Sequence, residues 1–379
     1  MKKRSRIVTQ NSGIKTPVTF QEIKTRIIDE EILIACRKNG DKLPPVRQLA
    51  DNFGTNQVTV IRAITELVGE GKLYTLEKKG VYVKDTARCR AAAVRNPIVA
   101  AILPAIGPSG YYFNTVLRGI ETALGSDYRL LVQDLRWSAR DIDSFLDDYT
   151  GFYRASGIIV RVPEVYAHPG RLASLCDAGT AIVVIDSTLE NISVDRVLVD
   201  NFHGGRLAAN HLIEHGHTHL AFIRDALPET SGRTVIENER LRGFRSAIEE
   251  HGLVFEPSYD VTLNEPVDTY DGTEIIELIR NGVTGLFGYN DHNTTHIIRH
   301  LVRHGIRIPQ DVSIIGFDNI RMENAAHVIL TSIDPYKERM AEKAVAMLLE
   351  QMRHPEKRFA RCEILTPELV IGESVRRPG

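Results

Sequence analysis

LPPVRQLADNFGTNQVTVIRAITELVGEGKLY, residues 43–74, reads as two short helices around a glycine bend, opening into a β-wing. After the turn at Pro44-Pro45, residues 46–53 bury Leu49 and Ala50, and Gly54 supplies the bend. The next helix starts at a cap, Thr55 or Asn56, whose side chain accepts from the free N–H groups of the first turn. Val60, Ala63, Ile64 and Leu67 form its inward stripe, which turns Val58, Thr59, Arg62 and Thr65 outward and leaves Gln57 at the N-terminal end. These are the side chains of major-groove readout: amides grip adenine, branched methyls pack on thymine, and arginine reaches guanine or phosphate.

Working outward, Phe20, Ile23, Ile27 and Ile34 fall at helical spacing, so a supporting helix is expected from Phe20 to about Lys38, ended by Asn39-Gly40. On the other side, GKLYTLEKKGVYVKD gives two strands about Lys78, Lys79 and Gly80, a wing whose lysines can meet phosphates or a minor groove. A small helical domain with a polar face and an unrelated hairpin is the plainer reading; charge weighs against it. Residues 1–95 hold 19 Lys/Arg against 10 Asp/Glu, net +9, while the 379-residue chain totals −2, so the remainder carries −11. Lysine and arginine displace the counterions condensed on a duplex, and an acidic body avoids wrapping it. Double-stranded DNA is therefore the expected macromolecular partner.

Residues 20–85 resemble the winged helix of the GntR family of bacterial regulators. The resemblance rests on LP-x-x-R-x-LA at Leu43, Pro44, Arg47, Leu49 and Ala50, the following Phe53-Gly54, T-V-x-R-A at Thr59, Val60, Arg62 and Ala63, and the wing ending G-V-Y-V. It implies DNA contacts by Arg47 and Arg62. The chain departs from the family pattern at Gln57 and Ile61, where arginine is usual in the recognition helix, and at Lys78, where the wing usually has glycine.

A length of 379 residues exceeds what one core usually fills, so more than one compact unit is expected. Residues 84–96, KDTARCRAAAVRN, have no periodic apolar stripe and read as a tether. From Pro97 onward IVAAILP, RLLVQD, GIIVR, AIVVID, LAFIR, TGLFGYN and VSIIGFD alternate with helical segments, the pattern of parallel α/β sheets buried on both faces. Seven such strands suit two doubly wound lobes, with ligands beyond the C-terminal strand ends. Those ends bring Tyr111, Tyr112 and Phe113, then Asp186, Asp200 with His203, Asn290 with Asp291, and Asp318 with Asn319. Aromatic rings beside carboxylates and amides suit a polyhydroxylated, sugar-like ligand.

Residues 97–379 resemble the effector domain of LacI/GalR regulators, itself similar to periplasmic sugar-binding proteins. The most specific stretches are DNFHGGRLAANHLIEHGHTHLAFI at 200–223, ERLRGFRSAI at 239–248 and YNDHNTTHIIRHLVRHGIRIPQDVSIIGFDN at 289–319. The resemblance implies a cleft between two lobes joined by three crossovers, with ligand roles for Tyr112, Phe113, Arg240 and Asp291; the strand ends add Asn290, Asp318 and His203 to the expected ligand-binding residues. His203 stands where relatives often have a pocket carboxylate. Asp291 also reads as a helix N-cap, Arg240 as a surface charge, and one of Tyr112 and Phe113 as core. A GntR-type reader on a LacI-type sensor is the architecture of arabinose-repressor-like regulators.

The resulting expectation is an α/β chain: a basic tail (1–19), a winged helix-turn-helix (20–85), a linker (86–96) and a type I periplasmic-binding-protein-like body (97–379). Its first lobe is placed at about 97–219 and 317–331, its second at about 220–316 and 332–379. The expected function is a cytoplasmic, homodimeric, ligand-responsive regulator, with repression relieved by a sugar as the favoured sign; activation, corepression and a solute receptor without a DNA role stay open. The four cysteines, Cys36, Cys89, Cys176 and Cys362, form no CxxC pair and fit reduced thiols. No stretch has the length of a membrane span or signal-peptide core, so no membrane partner is expected. His292, His296, His300 and His304 recur every four residues, yet neither a metal nor a cofactor is expected, and no catalytic motif stands out.

Overall fold

The computed structural model describes residues 19–378 except 35–36, 78, 85–96, 105, 107–110, 136–141, 164–165, 167, 188–192, 226–233, 264–269, 355–356 and 358–359. The expected basic tail up to residue 18, the expected linker and Lys78 lie outside the described residues. The chain divides into two compact units, Met1–Asn96 and Pro97–Gly379.

In the first unit, α1 (Phe20–Arg26) begins at Thr19, whose hydroxyl oxygen accepts the Glu22 N–H at 3.2 Å. The single α-helix expected to reach Lys38 does not form: Ile27–Ile34 winds as a π-helix. Ile27 and Ile32 are both fully buried, and the wider winding aligns residues five apart on one face. Helix α2 (Val46–Phe53) ends at Gly54, whose φ of +63° is the left-handed cap glycine adopts without a Cβ clash. Helix α3 (Gln57–Gly69) is capped by Asn56, not Thr55: Asn56 Oδ1 accepts the Thr59 N–H at 2.9 Å. Strands β1 (Leu73–Leu76) and β2 (Gly80–Val83) pair antiparallel, Leu73 opposite Val83 and Leu76 opposite Gly80. Ile23, Leu49, Val60, Ala63, Leu67, Leu73 and Val83 close the core of this unit.

The second unit carries strands β3 (Ile98–Leu103), β4 (Arg129–Asp134), β5 (Gly157–Val160), β6 (Ala181–Ile185), β7 (Asp195–Val199), β8 (Leu220–Arg224), β9 (Asp260–Thr262), β10 (Gly285–Gly288), β11 (Ser313–Phe317), β12 (Thr331–Asp334), β13 (Cys362–Leu365) and β14 (Glu368–Val370). Its helices are α4 (Tyr111–Leu124), α5 (Ile142–Asp147), α6 (Pro169–Asp177), α7 (Asn201–Glu214), α8 (Thr234–Glu250), α9 (Thr273–Arg280), α10 (Asp291–Arg303) and α11 (Lys337–Arg353). One sheet runs β13-β7-β6-β5-β3-β4, all parallel; the other runs β14-β12-β11-β10-β8-β9, parallel except for antiparallel β14. Strands such as Ile158–Val160 and Val183–Ile185 are fully buried, as two-sided helical cover requires.

The lobe limits expected from sequence need correction. β11 and β12 both lie in the second sheet, so 317–331 belongs there and not to the first lobe. Helix α7 packs on α8 in the second lobe, and α11 returns to the first, against α4, β5 and β6. The first lobe is therefore 97–200 with 337–365, the second 201–334 with the C-terminal strand. The chain passes between lobes three times, after β7, after β12 and after β13. Apolar strands of like composition carry no label of the sheet they join, which is why the pattern alone misassigned them.

Helices α7 and α8 touch backbone to backbone through two glycines. A Cβ on Gly205 would strike the Arg240 carbonyl, and one on Gly243 the Phe202 carbonyl. This explains the Gly-Gly of HGGR and the glycine of LRGF, and it sets where Arg240 stands. Gly243→Ala is therefore expected to cost about 1–3 kcal/mol by overpacking, read as a lowered midpoint in thermal unfolding; an unchanged midpoint would refute the close crossing.

Candidate functional site

Two surfaces carry functional chemistry. On the first unit, Arg47, Asn56, Gln57, Val58 and Arg62 are exposed, and Thr55 and Thr59 are half-buried. The Thr59 hydroxyl donates to Asn56 Oδ1 at 3.0 Å, so cap and helix face are one hydrogen-bonded unit. The Arg62 guanidinium lies 3.9 Å from the centroid of the Phe20 ring, a cation–π contact that holds it beside α1. Lys79 and Gly80 are exposed at the wing tip, where the Lys79 N–H closes the turn on the Leu76 carbonyl at 3.0 Å.

In the second unit, charged groups gather at the C-terminal strand ends. Arg240 is buried: Nε donates to Asn201 Oδ1 at 2.9 Å, the guanidinium donates to the Tyr289 carbonyl and sits 3.5 Å from the Phe317 ring centroid, and Asp318 lies 3.9 Å away. It is therefore not a surface charge. Asp318 holds a φ of +105°, and burial pushes its carboxyl up to about 6 against the pull of Arg240 and Lys337. Asp186, Asn319 and Tyr336 also have positive φ, +46°, +46° and +59°. Backbone strain of this kind persists only where surrounding contacts enforce it, and it clusters at ligand sites.

Tyr112 brings the lobes together electrically. Burial raises its phenol well above the usual range, and Asp186 of the first lobe and Asp318 of the second push it further, while Arg240 and Arg161 oppose them. Phe113 is buried beneath it in an edge-on contact, ring centroids 4.8 Å apart, so Phe113 is the core member of the pair.

Asn290, not Asp291, caps α10, its Oδ1 accepting the Asn293 N–H at 2.8 Å. Asp291 is fully buried and faces the loop after β11: it accepts the Ser332 hydroxyl at 2.8 Å and the Ile320 N–H at 2.7 Å. Burial and the nearby Asp318 hold its carboxyl well above the usual range. Asp291 thus fastens the 318–320 segment. His203 is half-buried in the first turn of α7, where its N–H donates to Asp200 Oδ1 at 2.8 Å.

Several participants escaped the sequence reading. Arg161, at the end of β5, is almost fully buried and donates from Nε to the Asp186 carbonyl at 3.1 Å. Lys337, buried at the start of α11, donates to the Asp318 carbonyl and lies 3.8 Å from Asp334. The arginine closing GIIVR was a legible sign of the first; nothing in the sequence marked Lys337. The regularly spaced histidines divide their roles: the Arg299 guanidinium lies on His296 Nδ1, and His304 Nδ1 meets the His300 carbonyl at 2.9 Å. Among the described residues no three His, Cys, Asp or Glu side chains gather as metal ligands, and no helix is long and apolar enough to cross a membrane.

Residues 19–83 match the bacterial regulatory proteins of the gntR family, and residues 209–375 match a periplasmic binding protein-like domain. The HTH-type transcriptional repressor PurR of Haemophilus influenzae (strain PittEE) is 34% identical over 227 residues, 59% of this chain and 65% of that protein. The chain thus spans 65% of the length of this relative. The Arabinose metabolism transcriptional repressor of Geobacillus stearothermophilus is 26% identical over 375 residues, 96% of this chain and 99% of that one. Among solved structures, a LacI family transcriptional regulator from Enterococcus faecium with bound ribose superposes with a TM-score of 0.61 at 25% identity, over 74% of this chain and 100% of that one. The transcriptional regulator CelR in complex with cellobiose gives 0.60 at 21% identity, over 88% and 100%, a likeness of fold.

The Asp318 carboxyl gives a pH test. Folded, it takes a proton near pH 6, while an unfolded aspartate stays ionised to about pH 4. Its contribution therefore favours the folded state at low pH and is lost as pH rises through about 6. Asp318→Asn should flatten the fall in stability between about pH 4 and 7 by about 2–3 kcal/mol relative to the natural chain. Asp291 shifts in the same sense, so some slope should survive in that variant. Matching slopes in chemical denaturation would overturn the assignment.

Proposed function

We propose that this chain, a GntR-family helix-turn-helix followed by a periplasmic-binding-protein-like domain of LacI type, is a transcriptional repressor of carbohydrate-utilisation genes. As a homodimer in the cytoplasm, on the nucleoid, it holds a two-fold DNA operator, and a sugar-like effector bound between the lobes releases it. The observation that carries this reading is the polar surround of Tyr112, which joins Asp186 and Arg161 of one lobe to Asp318 and Arg240 of the other. A ligand there touches both lobes, so its binding energy depends on their separation.

The chemistry of the surround favours a neutral polyol. Asp186, Asp318, Arg161 and Arg240, which act on Tyr112, are buried or half-buried, and buried Asp291 and Lys337 act on the groups beside them. Planar forks suit adjacent hydroxyls while the Tyr112 ring suits a sugar's C–H face. The ribose and cellobiose of the structural neighbours support the same class. Relatives named as repressors support the sign and a regulatory rather than enzymatic role. Arg47, Gln57, Arg62, Lys79 and Gly80 supply the phosphate and base contacts on the other unit.

Binding of the full chain to the duplex upstream of its own gene, followed by fluorescence anisotropy, tests the whole. Affinity should fall with salt and with Arg62→Ala, and an effector should weaken it about 5–150-fold, the span of a coupling of 1–3 kcal/mol. A thermal-shift screen of pentoses, hexoses, uronates and disaccharides identifies that effector, since a ligand at about 100 times its Kd adds about 2.7 kcal/mol. Absence of any duplex preference would reject the repressor reading, and stabilisation by no sugar would reject the effector class.

A further inference from the structure

The base-facing side of α3 has few polar groups to spare. Asn56 Oδ1 is occupied by the Thr59 N–H and by the Thr59 hydroxyl, at 2.9 and 3.0 Å, so the cap uses this amide's acceptor and fixes the hydroxyl as its donor. One turn on, the Thr65 hydroxyl donates to the Ile61 carbonyl at 2.9 Å. Arg62 is drawn onto Phe20. Beside Gln57, the helix offers apolar surface outward: Val58 is 75% exposed and Ile61 51% exposed, on a helix whose Val60, Ala63, Ile64 and Leu67 are buried.

Half or more of the surface of these two β-branched side chains stays in water, and branching lowers helix propensity, so their exposed parts add little to the isolated unit. Three residues apart, they share one side of the helix, about 4.5 Å apart along its axis, within reach of neighbouring base pairs stacked about 3.4 Å apart. Gln57 adjoins Val58 and Arg62 adjoins Ile61 along the chain, and both are exposed, as is Arg47 of α2, so amide and positive charge accompany the apolar pair, the setting of a groove lined by phosphate. On the floor of the major groove the one apolar group among the base edges is the thymine 5-methyl.

We infer that Val58 and Ile61 read thymine 5-methyl groups at neighbouring positions of each operator half-site, so that methyl contacts, rather than arginine–guanine pairs, carry much of the sequence specificity. The inference rests on the DNA-binding reading above and adds what the operator contains. Ile61 is then a specificity residue at a helix position facing the groove, and Gln57 is the adjoining polar reader.

The test uses the full chain and a random double-stranded DNA library to select a preferred duplex, in which each thymine is then replaced in turn by deoxyuridine. That replacement keeps base pairing and removes only the methyl. At one or two positions per half-site the affinity should fall about threefold to tenfold, the worth of one buried methyl. The penalty should shrink toward unity in Val58→Ala or Ile61→Ala, and 5-methylcytosine at a neighbouring cytosine should not replace the lost contact. Lys79→Ala should weaken all duplexes while keeping the penalty. Because both alanine variants alter exposed side chains, unchanged thermal unfolding confirms that they fold. A selected duplex indifferent to every deoxyuridine, or a penalty that persists in both alanine variants, overturns the methyl readout. A change of oligomeric state in those variants, with deoxyuridine neutral, assigns the patch to self-association and overturns it too. Failure to select any duplex removes the DNA-binding reading itself.

Discussion

Burial of the Arg240 guanidinium sets the layout of the second lobe, because a charge taken out of water has to be met by acceptors on every side. Those acceptors come from three places: Asn201 at the start of α7, the Tyr289 carbonyl at the end of β10, and Asp318 at the end of β11. Phe317 covers the face of the same group. Each partner is fixed by its own element, so the arginine ties one helix start to two strand ends. The glycine crossing of α7 and α8 is what lets it reach them. With Gly205 and Gly243 the helices meet at backbone distance, and the side chain spans from α8 to the strand ends.

A second polar network lies beside the first and leads toward the hinge. Asp291 holds the Ile320 N–H and Ser332, Ser332 receives the Asn319 N–H, and the Asn319 amide reaches Asp334. Lys337 closes this set by donating to the Asp318 carbonyl. Lys337 opens α11, the helix that leaves the second lobe for the first, where Ala341 sits against Gly119 of α4 so closely that a Cβ on the glycine would not fit. Asp318 is thereby tied to the segment joining the lobes.

The first unit shows the opposite economy of interactions. Its inward face is a closed core, and its outward face is left with solvent-exposed Val58 and Ile61 beside Gln57. Asn56 and Thr59 hold the helix start rigid through two hydrogen bonds to one oxygen, so the exposed side chains are carried on a preformed end. An end held in this way has little conformational freedom left to lose on binding.

Much of this was legible along the chain. Periodic Val60, Ala63, Ile64 and Leu67 fixed helix α3 and its outward face, since a 3.6-residue repeat has one solution. Runs such as GIIV and AIVVI announced buried parallel strands, and the seven apolar strands, with an eighth ending near residue 200, are all present. Short edge strands β9, β13 and β14, and β12 with its polar TSID, lacked that pattern and were missed. The sequence by itself thus determined the kinds of element, their order and which residues crown the strand ends, because these follow from local periodicity. Only the tertiary structure decided which sheet each strand enters, that Asn290 caps α10 while Asp291 clasps a loop, and that Arg161, Lys337 and Arg240 are buried among carboxyls. Those facts depend on contacts between residues far apart in the chain, and no local pattern encodes the direction in which a long side chain finally reaches.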